Sequence, residues 1–227
     1  MDAKRRAAEA AVPLVSSGMA VGLGTGSTAD YFLKALAAAL ASGQLRDVVG
    51  VPTSRQSEFR AHELGIPLTT LGKVGLLDLT VDGADEVDPQ LQVIKGLGGA
   101  LVREKIVAQN SRRLVIIADE GKLVKQLGTK APLPVEVVQF AAEVQERFFR
   151  SIGAEPTLRK VGGMVFNTDN GNLIYDCRFP TGIADPVATE RLILDRAGVV
   201  GCGLFLGMAD VVLVGSEDGV KRMDRAG

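Results

Sequence analysis

Through its first half the chain alternates short, wholly apolar runs with longer stretches in which apolar residues return every three or four positions. The first pattern suits strands buried on both faces and the second suits helices with one buried stripe. Strands are therefore predicted at 19–24, 48–52, 66–71, 76–82 and 114–119. Helices are predicted at 29–41, ending at Gly43, at 54–64, closed by Gly65, and at 100–110. Such alternation is the signature of a parallel sheet covered by helices.

The texture changes at Pro132. PLPVEVV reads as a strand, 140–152 as a helix and 155–161 as a strand, and MVFNTDNGNLIYDCRF alternates around Asn170-Gly171, a pair that favours a hairpin. A helix over 185–197 follows, with Asp185 as cap and Pro186 in the first turn. Then come strand-like VVGCGLFL and ADVVLVG, the latter able to return to the first sheet. The expected fold is α/β: a Rossmann-like parallel sheet domain with helices on both faces, plus a smaller inserted α+β, ferredoxin-like domain. The expected limits are 1–130 and 207–227 for the first and 131–206 for the second, the small one a candidate for oligomerisation.

Charge narrows the partners. Twenty-six basic against 27 acidic residues leave no field to recruit nucleic acid or an acidic membrane, and aromatics at 4% supply no base-stacking platform. The first twenty residues superficially resemble a signal peptide, but Glu9 and Pro13 interrupt the would-be apolar core. With no stretch of membrane-spanning length, a cytoplasmic protein is expected. Cys177 and Cys202 stand in strand-like contexts without a CxxC pair or a nearby histidine, which predicts buried reduced thiols.

Four stretches could carry chemistry. GLGTGST at 22–28 joins a strand to a helix, where free backbone N–H groups and the helix dipole attract anions. Its spacing is G-x-G-x-G, without the acid a dinucleotide ribose needs, and it lacks the Gly-Lys of a phosphate-binding P-loop. A small phosphorylated or otherwise anionic ligand remains. VDGADEVD at 81–88, KGLGGALVREK at 95–105 and DEGK at 119–122 add carboxylates and lysines. Each of the four is also what a capped turn looks like.

Position gives them weight together, because loops after parallel strands share the sheet edge where ligands bind. His62 is the only histidine, and VDGADEVD lacks calcium-loop spacing, so no metal site is expected. No serine or cysteine has a dedicated histidine for nucleophilic catalysis. Carboxylates and lysines suit proton transfer.

TGST at 25–28, DGADEVD at 82–88, KGLGGALVREK, DEGK and PLPVEV at 132–137 together resemble ribose-5-phosphate isomerase, type A. The likeness runs in order along nearly the whole chain, through DNGN at 169–172 to GVVGCGLF and DGVK. It implies interconversion of D-ribose 5-phosphate and D-ribulose 5-phosphate in the pentose phosphate pathway, without cofactor or metal. It implies Glu104 as general base, with Asp82, Asp85 and Lys95 as further catalytic residues. Thr25, Gly26, Ser27, Thr28, Asp82, Gly83, Ala84, Asp85, Lys95, Gly96, Leu97, Gly98 and Lys122 would bind substrate. Leu97 stands where some members have glycine. The resemblance implies a homodimer or homotetramer. It leaves Glu86 and Asp88 as acids of a solvated turn.

Two other classes fit parts of this pattern. A sugar-phosphate sensor would keep the anion site but would need no proton shuttle, and a CoA transferase relative would use a carboxylate nucleophile and usually a longer chain.

Overall fold

The computed structural model describes residues 2–225, which divide into two compact units. One comprises residues 2–84, 103–122 and 208–225, and the other Asp85–Val102 and Leu123–Gly207. Residues 85–102 and 123–130, read from sequence with the parallel sheet, group with the second unit.

The first unit is built on a six-stranded sheet in the order Val220–Asp224, Val211–Gly215, Leu114–Asp119, Leu79–Gly83, Ala20–Leu23, Val49–Pro52. All pairings are parallel except the hairpin of Val211–Gly215 with Val220–Asp224. The central strands are continuous apolar runs because both faces are covered. Against one face pack Ala7 and Ala8 of helix Ala3–Ala11, Phe32, Leu33 and Leu36 of helix Ser27–Ala41, and Ala61 of helix Arg55–Glu63. Against the other packs Val107 of helix Leu101–Gln109, with Ala20, Val51 and Leu77. Gly43 and Gly65 end their helices at φ +74° and +73°, as expected from a residue without Cβ.

Three features of this unit differ from expectation or escaped it. Residues 66–71 do not form a strand: a single bridge joins Gly50 to Leu68, and a one-turn helix, Leu71–Val74, follows. Pro67 lacks the N–H that would extend the ladder. Helix Ala3–Ala11 occupies the segment that superficially resembles a leader, and its Asp2 cap accepts the Lys4 N–H at 3.2 Å. The edge strand Val220–Asp224 is mostly exposed, and its VKRMD carries too little apolar signal to announce itself.

The second unit has a four-stranded antiparallel sheet in the order Val199–Cys202, Leu133–Val137, Leu173–Arg178, Glu155–Leu158, with helices Glu143–Ser151 and Pro186–Leu194. This is the ferredoxin-like arrangement expected. Phe149, Tyr175, Cys177, Ile193 and Cys202 fill its core. The first of these helices begins at Glu143, not 140, after Ala141 takes φ +53°. VVGCGLFL is not one strand but two. Gly203 breaks it, since a Cβ there would lie 2.1 Å from the Lys95 carbonyl oxygen. Leu204–Phe205 instead joins Val93–Ile94 and Glu86–Val87 in a small sheet.

The expected Asn170-Gly171 hairpin is a correction. Gly171 does turn the chain at φ +78°, but the strand after it pairs with Leu133–Val137 and Glu155–Leu158. The two-stranded hairpin is Lys160–Val161 with Met164–Val165, turning on Gly162 and Gly163. The DNGN loop is shaped by a buried carboxylate: Thr168 Oγ1, Asn170 Nδ2 and Asn172 Nδ2 donate to Glu136 Oε1 at 3.0, 3.2 and 2.8 Å. Donating to Oε1 of that fully buried acid takes precedence over a ladder.

Candidate active site

Within the parallel sheet the strand order reverses direction between Ala20–Leu23 and its neighbour Leu79–Gly83. Loops leaving the carboxyl ends of such a pair frame the crevice in which open α/β sheets bind ligands. GLGTGST leaves the first strand and DGAD the second. They are tied together: Gly24 N–H donates to Val81 O at 3.0 Å and Thr25 N–H to Asp82 Oδ1 at 3.0 Å. The Gly83 N–H reaches the same oxygen at 2.7 Å. Gly24 is required by this closeness, since a Cβ would fall 2.6 Å from Asp82 Cα.

Gly26 caps helix Ser27–Ala41 with φ +106°, and the first amide to close the helix is Asp30 N–H onto Gly26 O at 2.9 Å. The amides of Ser27, Thr28 and Ala29 therefore have no partner inside the helix and sit at its positive end. The Thr25 hydroxyl is engaged with Thr53 Oγ1 at 2.7 Å and Ser54 Oγ at 2.8 Å, so this threonine braces the loop. Sequence reasoning missed Lys4, whose Nζ lies 3.2 Å from Ser27 Oγ and brings a cation to the anion loop. A half-buried lysine in a polar first helix carries no local signal of that role.

A cavity of about 470 Å³ opens beside the loop, bordered by Gly24, Gly26, Ser27, Gln56 and Arg60. Arg60 is committed to Asp30 at 2.6 Å. Burial acts to raise the Asp30 carboxyl, but hydrogen bonds from Lys34 and Arg60 outweigh it and hold the group below its usual range. Glu104 lies in the first turn of helix Leu101–Gln109, only 4% exposed. Lys122 ends the turn Glu120–Lys122 at the carboxyl end of Leu114–Asp119.

The second unit holds Asp85, Lys95, Gly96, Leu97 and Gly98 of the residues expected from sequence. Asp85 is pinned at both ends: its N–H donates to Ile94 O at 2.8 Å and its Oδ2 accepts the Leu97 N–H at 2.9 Å. Lys95 is 2% exposed, its N–H on Gly203 O at 2.9 Å and its Nζ 5.6 Å from the Phe205 ring centroid. The turn beyond it needs glycine at Gly96, with φ +107° and a Cβ that would meet Leu101 at 2.8 Å. Leu97 points outward and Gly98 is exposed, so the non-glycine residue fits without burial.

Glu86 and Asp88 are not acids of a solvated turn. Glu86 is fully buried and accepts N–H groups of Gly128, Lys130 and Ala131 at 2.5, 2.5 and 2.6 Å. Asp88 is also buried, and its Oδ1 accepts from Gln90 and Gln92 at 2.9 and 2.8 Å. These carboxylates organise loops that no local pattern assigns to them. Among the described residues, no cluster of three or more His, Cys, Asp or Glu side chains could hold a metal ion, and no helix is long and apolar enough to cross a membrane.

An open α/β sheet whose switch-point loop runs straight into a helix N-terminus belongs to the class of folds suited to small anionic ligands. Residues 49–219 match the family model of ribose 5-phosphate isomerase A (phosphoriboisomerase A). The ribose-5-phosphate isomerase A of Roseiflexus castenholzii is 54% identical over 97% of this chain and 94% of its own, and that of Bacillus mycoides 46% over 97% and 99%. The ribose 5-phosphate isomerase of Plasmodium falciparum superposes with a TM-score of 0.96 over all of both chains at 42% identity. A D-ribose-5-phosphate isomerase in complex with phospho-erythronic acid does so with 0.96 over 99% and 100% at 41% identity. The chain belongs to the ribose 5-phosphate isomerase A family.

Proposed function

We propose that this chain interconverts D-ribose 5-phosphate and D-ribulose 5-phosphate in the non-oxidative pentose phosphate pathway, through an enediolate and with Glu104 as the shuttling base. The observation that carries the activity is family membership across nearly the full length of both chains. No observation favours a sugar-phosphate sensor.

The reaction converts an aldehyde at C1 and a hydroxyl at C2 into a hydroxyl at C1 and a ketone at C2. The Glu104 carboxylate takes the C2 proton, and the electron pair of that C–H bond forms the C1–C2 double bond as O1 becomes an oxyanion. The same carboxylate returns its proton to C1, while the O2 proton passes to O1. One group serves both carbons because they are adjacent. The Lys95 ammonium stabilises charge on the enediolate oxygens, a term that grows where water is excluded. Asp82 and Asp85 move hydroxyl protons, including those of furanose opening. Gly83, Ala84, Gly96, Leu97 and Gly98 supply the backbone that holds these groups, and Lys122 takes part in substrate binding.

The phosphate lies on the amides of Gly26 to Thr28 and the Ser27 and Thr28 hydroxyls, with Thr25 holding the loop in place through its bonds to Asp82, Thr53 and Ser54, and Lys4 supplying charge. The ligand of the solved relative suits this division of labour: phospho-erythronic acid carries a phosphate at one end and a carboxylate, planar like an enediolate, at the other. The protein acts in the cytoplasm as a homodimer or homotetramer. Exposed apolar Val138, Phe140, Val144 and Val200 support assembly through the second unit.

The test is ketose formation from ribose 5-phosphate in D₂O, following loss of the C2 proton by NMR. Glu104→Gln should lower the rate by about a hundred- to ten-thousandfold. A near wild-type rate removes Glu104 as the base, and no ketose from the unmodified chain removes the function.

A further inference from the structure

Arg159 lies between the strand Glu155–Leu158 and the hairpin beginning at Lys160, outside the four stretches that could carry chemistry. It is 9% exposed, and its guanidinium is committed to three residues on two sides. Asp176 takes one edge as a fork, with Nε on Oδ2 at 2.9 Å and Nη2 on Oδ1. On the other side Nη1 donates to Gly96 O at 2.9 Å and Leu97 O at 3.1 Å. Phe166 closes the arrangement, its ring centroid 5.9 Å from Arg159 Cζ and its edge so near Gly99 that a Cβ there would lie 2.4 Å away.

The Gly96 carbonyl and the Leu97 N–H belong to one peptide group. That unit is planar and trans, so its oxygen and its hydrogen point in opposite directions and turn together. Arg159 holds the oxygen from behind, and Asp85 Oδ2 accepts the hydrogen in front at 2.9 Å. Gly96, at φ +107°, would otherwise leave this plane easy to rotate, since glycine tolerates both signs of φ.

We propose that Arg159, fixed by Asp176, is a positioning residue for catalysis: through the rigid Gly96–Leu97 peptide it sets the orientation of the Asp85 carboxylate. The fork geometry matters as well as the charge, because a lysine offers a point charge in place of a planar pair of donor edges. This role rests on the reading of Asp85 as part of the active site.

The experiment is a double-mutant cycle on the purified chain, with kcat, KM, the pH profile of kcat and the urea midpoint measured for Arg159→Met, Arg159→Lys, Asp85→Asn and both double variants. The expected result is a fall in kcat on the order of a hundredfold for Arg159→Met, as a misplacement near 1 Å can produce, with KM changed much less. Arg159→Lys should recover part of it and serves if the methionine variant does not fold. In the Asp85→Asn background either Arg159 change should lower kcat little further, while its effect on the urea midpoint persists. Wild-type kcat and pH profile in both Arg159 variants, or a full kcat loss on top of Asp85→Asn, would overturn the role. Full activity of Asp85→Asn would instead overturn the reading of Asp85, and this inference with it.

Discussion

Replacing Gly24 with alanine tests how closely the GLGTGST and DGAD loops are pressed together. The new Cβ would stand 2.6 Å from Asp82 Cα and 2.3 Å from Asp82 Oδ1. Ordinary contact begins near 3.4 Å, so the neighbouring backbone must retreat by about 0.8 Å. Gly24 N–H to Val81 O and Thr25 N–H to Asp82 Oδ1, both 3.0 Å, would stretch beyond useful hydrogen-bond length. Overpacking costs about 1–3 kcal/mol, and each weakened bond adds about 1 kcal/mol, more where the acceptor is charged. The expected loss is about 3–5 kcal/mol, a large share of the roughly 5–15 kcal/mol that stabilises a typical domain. The same shift moves Asp82, so kcat should fall on the order of a hundredfold. Gly43→Ala is the control: it meets open space and carries only the strain of φ +74°, about 1–3 kcal/mol, without displacing Asp82. Urea unfolding and steady-state isomerisation of both variants decide the matter. If Gly24→Ala keeps wild-type stability and kcat, the close approach does not constrain the site.

Other expectations follow from single contacts. Lys4→Met should raise KM for the phosphorylated substrate and weaken inhibition by inorganic phosphate about tenfold, with kcat nearly unchanged, since its charge meets Ser27 and not the reacting carbons. Glu86→Gln turns an amide toward backbone N–H groups that now find carboxylate oxygens, and should cost about 3–5 kcal/mol in urea unfolding; a loss under 1 kcal/mol would show that the Gly128–Ala131 loop does not depend on it. Burial pushes the Cys177 thiol far up, with Asp176 and Cys202 adding to the effect. The unfolded thiol ionises from about pH 9 while the native one stays protonated, so the unfolded state then binds fewer protons and stability falls as pH rises. Urea midpoints at pH 8 and 10 should show that fall, Cys177→Ala should lessen it, and a thiol reagent should label Cys177 only on unfolding.

Much of the molecule can be read along the chain because burial leaves a periodic record. Ala20–Leu23, Leu114–Asp119 and Val211–Gly215 are apolar throughout since both of their faces are covered, and Ser27–Ala41 carries the stripe that packs on them. The order of two units, and the glycine and acid motifs placed at strand ends, are likewise properties of the line of residues. Pairing is not. Asn170-Gly171 looks locally like a hairpin, but the buried Glu136 carboxylate, more than thirty residues away, decides otherwise, whereas Pro67 interrupts 66–71 from within. Four acids in VDGADEVD are indistinguishable on the page. Only the fold separates Asp82, held by the Thr25 amide, and Asp85, held by the Leu97 amide, from Glu86, which closes a loop more than forty residues on. Lys4 and Arg159 belong to the same class. Their roles depend on contacts 23 and about 60 residues distant, and a hydrogen bond across such separations leaves no periodicity for a local pattern to carry.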